Sequence, residues 1–129
     1  MTIAADDAMR IHKSAEDYLE MILRLTEEKG YARSVDIAMG LGVSKPSVSV
    51  ELSKLLAEGY ISLDEDKMIS LTEAGQALAE LTYSKHCYFR DLLLSAGIDA
   101  ELAEKEACAM EHAVSSDSFQ KIRARYPIV

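Results

Sequence analysis

A chain of 129 residues, 49% apolar but with no Trp, can bury the core of one compact domain or two small ones. Its net charge of −8 argues against a generic basic nucleic-acid binder, and no apolar window approaches the roughly 18 residues of a membrane span. The start, Met1-Thr2-Ile3-Ala4-Ala5-Asp6-Asp7, lacks the basic region and apolar run of a secretion signal, and two cysteines make no disulfide framework, so the expected compartment is the cytoplasm.

Ser14-Ala15-Glu16-Asp17 reads as a capping box opening a helix over about 14–28. Its buried stripe is Tyr18, Met21, Ile22 and Leu25, and Lys29-Gly30 ends it. A short second helix runs through Val35, Ile37, Ala38 and Leu41. After Gly42-Val43, Ser44-Lys45-Pro46 opens a third helix, with Pro in the first turn where no N–H is needed. Val48, Leu52, Leu55 and Leu56 are its expected buried residues. Ile61-Ser62-Leu63 and Met68-Ile69-Ser70-Leu71, joined by Asp64-Glu65-Asp66-Lys67, predict a β-hairpin. Thr72 caps a long fourth helix reaching Ser95, Asp99 caps a fifth, and a last short helix runs from about Ser116 to before Pro127.

Three helices and then a hairpin is the order of a winged helix-turn-helix. The expected fold is mainly α: a winged helix-turn-helix DNA-binding domain over 1–72 and a helical domain over 73–129. The overall acidity does not reach the expected DNA face, because over residues 29–54 Lys29, Arg33, Lys45 and Lys54 outnumber Asp36 and Glu51. Small polar residues let the third helix approach a major groove closely. Ser47 and Ser49 suit phosphates or base edges, Val50 a thymine methyl and Lys54 a phosphate, and Arg33, Ser44 and Lys45 complete the candidate DNA-binding set. The wing tip is acidic apart from Lys67.

Cys108, Glu111 and His112 form a C-x-x-E-H pattern in a helical stretch, so the three-and-four spacing predicts one helix face. Thiolate, carboxylate and imidazole together make half a transition-metal shell. Candidates for the other half are His86 on the fourth helix and Asp17 with Glu20, one turn apart on the first. The plain alternatives are a small core cysteine, a capping Asp17 and a solvated Glu20.

Ala15-Glu16-Asp17-Tyr18-Leu19-Glu20, Glu27 to Arg33, Asp36-Ile37-Ala38, Leu71-Thr72, Gly75, His86 and Glu111-His112 are collinear with one known pattern. From about residue 14 to 126 the chain resembles the metal-dependent repressors of the diphtheria toxin repressor and manganese transport regulator family. The resemblance implies a homodimer that binds a palindromic operator in double-stranded DNA, with Mn(II) or Fe(II) as co-repressor, and Zn(II) or other divalent ions able to substitute in vitro. It also implies metal ligands at Asp17, Glu20, His86, Cys108, Glu111 and His112, and control of metal uptake genes. At Cys108 the manganese branch has a carboxylate and the iron branch a cysteine, whereas Asp17 matches the manganese branch, so the donor set is a hybrid. Arg90 stands where the iron branch has a second-site carboxylate, which a guanidinium cannot replace; Glu104 is the nearest candidate substitute. In length the chain resembles the manganese regulators, with no room for the extra barrel domain of the longer iron repressors.

A thiol-based redox repressor using Cys87 or Cys108 is the alternative reading of the same scaffold. A metallohydrolase fits less well, because the chain has no H-E-x-x-H and no evident substrate loops.

Overall fold

The computed structural model describes residues 3–128, with side chains from Lys13 onward. The side chains of the N-terminal stretch Met1 to Asp7 lie outside the described residues. In chain order the elements are α1 (Ile3–Lys29), α2 (Ser34–Leu41), α3 (Lys45–Ala57), β1 (Ile61–Leu63), β2 (Ile69–Leu71), α4 (Glu73–Ser95), α5 (Ala100–Met110) and α6 (Ser116–Arg125). They fall into two compact units, Met1–Glu80 and Leu81–Val129, whose boundary lies inside α4. No described helix is long and apolar enough to cross a membrane.

In the first unit, α1 does not begin at Ser14. It runs back to Ile3, because residues 3–13 contain no Gly or Pro to break it, and Ser14 to Asp17 are interior positions. The buried stripe also differs from the expected one. Tyr18, Leu19, Ile22, Leu23 and Leu25 are buried, since α1 packs against α2, α3 and β2, while Met21 is only half-buried.

The turn between α2 and α3 depends on Gly42, whose φ of 67° and ψ of 37° favour a residue without Cβ. Ser44 then caps α3, its Oγ accepting from the Ser47 N–H at 3.2 Å, an interaction that contributes about 1 kcal/mol. α3 buries Val48 and Leu55 only. Leu56 is 45% exposed, contrary to the sequence expectation, and shares a groove wall with Val35, Leu52 and Leu63.

β1 and β2 pair antiparallel in the register Ile61↔Leu71, Ser62↔Ser70 and Leu63↔Ile69. This register points Ile61 and Ile69 inward. The Ile69 N–H donates to Ala32 O at 2.9 Å, tying the wing to the segment before α2. The wing turn closes on Asp64, whose Oδ1 accepts from the N–H groups of Asp66 and Met68, both at 2.9 Å. Thr72 caps α4 as expected: its Oγ1 accepts from the Gly75 N–H and donates to Gly59 O at 2.6 Å. A Cβ at Gly75 would overlap the carbonyl oxygen of Tyr60, so the start of α4 needs glycine there.

The second unit closes α5, α6 and the rest of α4 around Tyr88, Phe89, Ala107 and Phe119. Tyr88 meets Phe89 and Phe119 edge-on, with ring centroids 5.4 and 5.8 Å apart. The Tyr88 hydroxyl donates to Tyr126 O at 2.7 Å, fastening the C-terminal end of α6. Asp99 stands at the cap position of α5, but its side chain makes no capping bond. Ser115 caps α6, accepting from the Ser118 N–H at 3.1 Å.

Candidate metal centre and nucleic-acid interface

α5 stops at Met110, two residues short of the end of the expected pattern. Glu111 is the C-cap, still in helical conformation and facing the Cys108 thiol, whereas His112 lies in the turn that follows. Cys108 sits in the last turn of α5, and the turn itself brings His112 back. Its Nε2 lies 3.2 Å from Glu111 Oε1. The Lys85 ammonium, only 6% exposed, holds this turn against α4 by donating to Val114 O at 2.8 Å.

His86 points from α4 into the same place. Its Nε2 is 2.7 Å from Glu104 Oε1, and its Nδ1 is 2.9 Å from Glu111 Oε2. Apart from this mutual 2.9 Å ion-pair contact, the buried His86 Nδ1 and Glu111 Oε2 have no hydrogen-bond partner. The Cys108 thiol donates weakly to Glu111 Oε1 at 3.9 Å. One donor atom from each of His86, Cys108 and Glu111 lies within 4.8 Å of the other two.

The electrostatics follow from this crowding. Contact with Cys108, then with Glu111, outweighs burial and pushes the His86 imidazole up to about 11, with Glu104 adding to the effect. Burial works to raise the Glu111 carboxyl, but His112 and then His86 overcome it and hold it below the usual carboxylate range. The ground state without a cation is therefore an imidazolium facing a carboxylate.

The donor set fits a divalent transition metal. A buried imidazole nitrogen and a buried carboxylate oxygen face only each other, and a thiol stands beside them. A cation would take the place of the imidazole proton between them. Glu104 is the contact that spacing alone did not identify. With its carboxylate on Nε2 it fixes the tautomer that leaves Nδ1 for a metal, as outer carboxylates do for ligating histidines. Arg90 ion-pairs with Asp91 at 3.2 Å.

The other two candidate ligands belong to the first unit. Asp17 and Glu20 lie one turn apart on α1, with Asp17 Oδ2 3.7 Å from Lys13 Nζ and Glu20 Oε1 3.3 Å from Arg24 Nη2. Glu20 is 6% exposed, so it is not the solvated residue of the plain reading.

The candidate DNA contacts are all on the outside of the first unit. Arg33, Ser44, Lys45, Ser47, Ser49, Val50 and Lys54 are exposed, and Val50 is a large apolar residue 58% open to solvent. Arg33, the residue that precedes α2, lies over Tyr31, 5.7 Å from the ring centre, while its Nε donates to Met68 Sδ at 3.3 Å at the base of the wing. A groove of about 450 Å³ runs between α3 and the wing, with Lys45 and Lys67 among its lining residues. Lys67 has a φ of 61°, unusual for a side-chain-bearing residue and held by the Asp64 turn.

Comparison with known proteins matches the two halves in turn. The iron dependent repressor N-terminal DNA binding domain matches residues 10–69, and the iron dependent repressor metal binding and dimerisation domain matches residues 72–126. The chain belongs to this family. It is 37% identical over 108 residues to the transcriptional regulator MntR of Escherichia coli O6:H1, covering 84% of this chain and 70% of that protein. To the HTH-type transcriptional regulator MntR of Bacillus subtilis it is 34% identical over 109 residues, covering 84% and 77%. The solved manganese regulator SloR aligns with a TM-score of 0.76 at 32% identity, over 86% of this chain and 52% of that one. The chain thus spans about half the length of that solved relative. The expected fold class holds: a winged helix-turn-helix followed by a helical unit. Membership in a metal-dependent repressor family also sets aside the redox alternative on Cys87 and Cys108. The relatives are named as regulators, a non-enzymatic role, which disposes of the metallohydrolase.

Proposed function

We propose that this chain is a cytoplasmic, metal-activated transcriptional repressor: Mn(II) or Fe(II) orders a homodimer to bind a palindromic operator and control metal uptake genes. The observation that carries the reading is the fully buried pair of donors His86 Nδ1 and Glu111 Oε2, which have only each other, beside the Cys108 thiol. His86, Cys108, Glu111 and His112 supply one set of ligands, and Asp17 and Glu20 complete the shell with hard oxygens. Glu104 orients His86. In this reading, residues 1–72 read DNA and residues 73–129 hold the metal and the dimer contact.

A cation taking ligands from both sets couples them and so fixes the spacing of the two α3 helices in a dimer. That spacing must match one turn of DNA, about 34 Å. Without a cation, Asp17, Glu20 and Glu111 carry like charges. With one, part of the local acidity near the DNA is cancelled. A coupling of about 1–3 kcal/mol is typical of such linkage and changes DNA affinity about 5–150-fold. Operator DNA must then tighten metal binding by the same factor.

One thiolate among carboxylates and imidazoles suits both Fe(II) and Mn(II), and intrinsic affinity would favour Zn(II) over either in vitro. Selection of duplexes from a random pool, run anaerobically with Fe(II), with Mn(II) and with chelator, tests the function directly. Enrichment of a two-fold symmetric site by metal alone is the expected result. Equal enrichment under chelator would separate the donor cluster from the switch.

A further inference from the structure

α4 carries a buried stripe at the three-and-four spacing of one helix face: Thr82, Lys85, His86 and Phe89. Phe89 enters the aromatic core, Lys85 binds Val114 O, and His86 belongs to the donor cluster. Thr82 is left without an evident task. It is fully buried, yet its Oγ1 has no hydrogen-bond partner, not even the carbonyl one turn back that a helical threonine commonly uses.

An isolated buried hydroxyl costs stability. A valine would fill the same volume at no such cost, so the oxygen needs a reason. Its position offers one. Thr82 and His86 are four residues apart, on the same face of α4, and side chains on a helix lean toward its N-terminus, which is the direction of Thr82 from His86. Among the described residues, four buried side-chain atoms lack a hydrogen-bond partner. Three of them are in the second unit: Thr82 Oγ1, and the ion-paired His86 Nδ1 and Glu111 Oε2. The other two of these three are candidate metal donors.

We propose that Thr82 is a positioning residue of the metal centre. When a metal is held there, the Thr82 hydroxyl would donate a hydrogen bond to a carboxylate oxygen among the ligands. Thr82 is not itself a ligand, since a neutral hydroxyl competes poorly with thiolate, imidazole and carboxylate. It acts through the oxygen it orients, as outer-shell donors do. The inference rests on the metal-centre reading above and adds a group to it.

The test compares wild type, Thr82→Val and Thr82→Ser by calorimetric titration with Mn(II), by the electron paramagnetic resonance spectrum of the bound Mn(II), and by melting of the metal-free chain. Thr82→Val removes the hydroxyl at constant shape. It should weaken Mn(II) binding about tenfold and change the spectrum, while the metal-free protein melts higher than wild type because the orphan is gone. Thr82→Ser keeps the hydroxyl and should bind Mn(II) within about threefold of wild type, against the tenfold or greater loss typical of a lost outer-shell partner.

If Thr82→Val melts higher but titrates like wild type with an unchanged spectrum, the oxygen is only a packing defect and the proposal fails. If Thr82→Ser binds as weakly as Thr82→Val, the lost methyl is responsible and the proposal also fails. A wild-type chain that takes up no Mn(II) overturns the metal-centre reading and this inference with it. Wild-type uptake with indifferent variants overturns this inference alone.

Discussion

In the first unit the buried residues are almost all apolar, from Leu19 and Ile22 of α1 through Ile37, Val48 and Leu55 to Ile61 and Ile69, and the side chains suited to DNA stand outside. In the second, Thr82, Lys85, His86 and Glu111 are buried next to a core of four residues, Tyr88, Phe89, Ala107 and Phe119. The first unit leaves one buried oxygen, Asp36 Oδ2, without a hydrogen-bond partner, and acts through its surface. The second gathers a buried imidazole–carboxylate pair, a thiol and an unpartnered hydroxyl, so a ligand that binds there should stabilise it by mass action. One unit is built as a fixed reader and the other as a receptor whose stability depends on occupancy.

The largest break in that contrast should come from His112→Ala. It removes a candidate ligand from the turn after α5, and Mn(II) affinity should fall by at least about a hundredfold, the upper end of what even an outer-shell loss costs. The rise in melting temperature on adding Mn(II) should vanish, while salt-dependent, non-specific DNA binding of the chelated protein stays the same. A normal metal response would remove His112 from the site. The converse break is Lys45→Glu with Lys54→Glu on α3. Metal titration should be unchanged, and the slope of log affinity against log salt should shrink by about two, roughly one per lost phosphate contact. An unaltered slope would mean that this face of α3 does not meet phosphate.

What could be read from the sequence differs between the units for a related reason. The reader's elements are announced by local chemistry: Ser44 before Pro46, Gly42 at the turn, Thr72 before Glu73 and alternating residues in the hairpin. Such signals depend on neighbours a few residues apart, and they held. The start of α1 failed because the Ser14 box looks the same whether it caps a helix or lies within one. The candidate donor cluster of the second unit was legible as a set of residue types but not as an arrangement. Spacing placed Cys108, Glu111 and His112 on one helix, and no glycine warned that α5 ends at Met110. The Glu104–His86 contact joins residues 18 apart, and the orphaned Thr82 hydroxyl depends on what is packed around it. Neither has a local signature.

A pH series sharpens the contrast further. The folded chain holds His86 at about 11, above the ordinary imidazole value of 6.5. The raised value means that this contribution to stability is complete below pH 6.5 and is lost as pH rises toward 11. The metal-free protein should therefore lose stability as pH rises from 6.5. Mn(II) must displace the same proton, so its affinity should rise with pH, by about tenfold per unit for one proton released. Denaturant unfolding between pH 6 and 8.5, with and without Mn(II), should show the two curves moving apart. Curves that stay parallel would show that metal does not compete with a proton on His86.

The smallest and most selective change is Cys108→Ser. Cys108 is exposed, so its replacement should leave the metal-free melting temperature close to that of wild type. The loss should appear only with metal, and unequally. A thiolate is a better partner for Fe(II) than for Mn(II), which favours oxygen donors, so anaerobic titration should show Fe(II) weakened by about tenfold and Mn(II) by clearly less. Cys108→Glu should go the other way, supplying the carboxylate that the family resemblance places there in manganese regulators and raising Mn(II) relative to Fe(II). If both variants weaken the two ions equally, Cys108 contributes packing to the turn and not a donor atom. His86, Glu111 and His112 would then carry the second unit's share of the shell alone. A selective loss instead makes position 108 the residue at which this receptor sets its preference between the two ions, without any change to the unit that reads DNA.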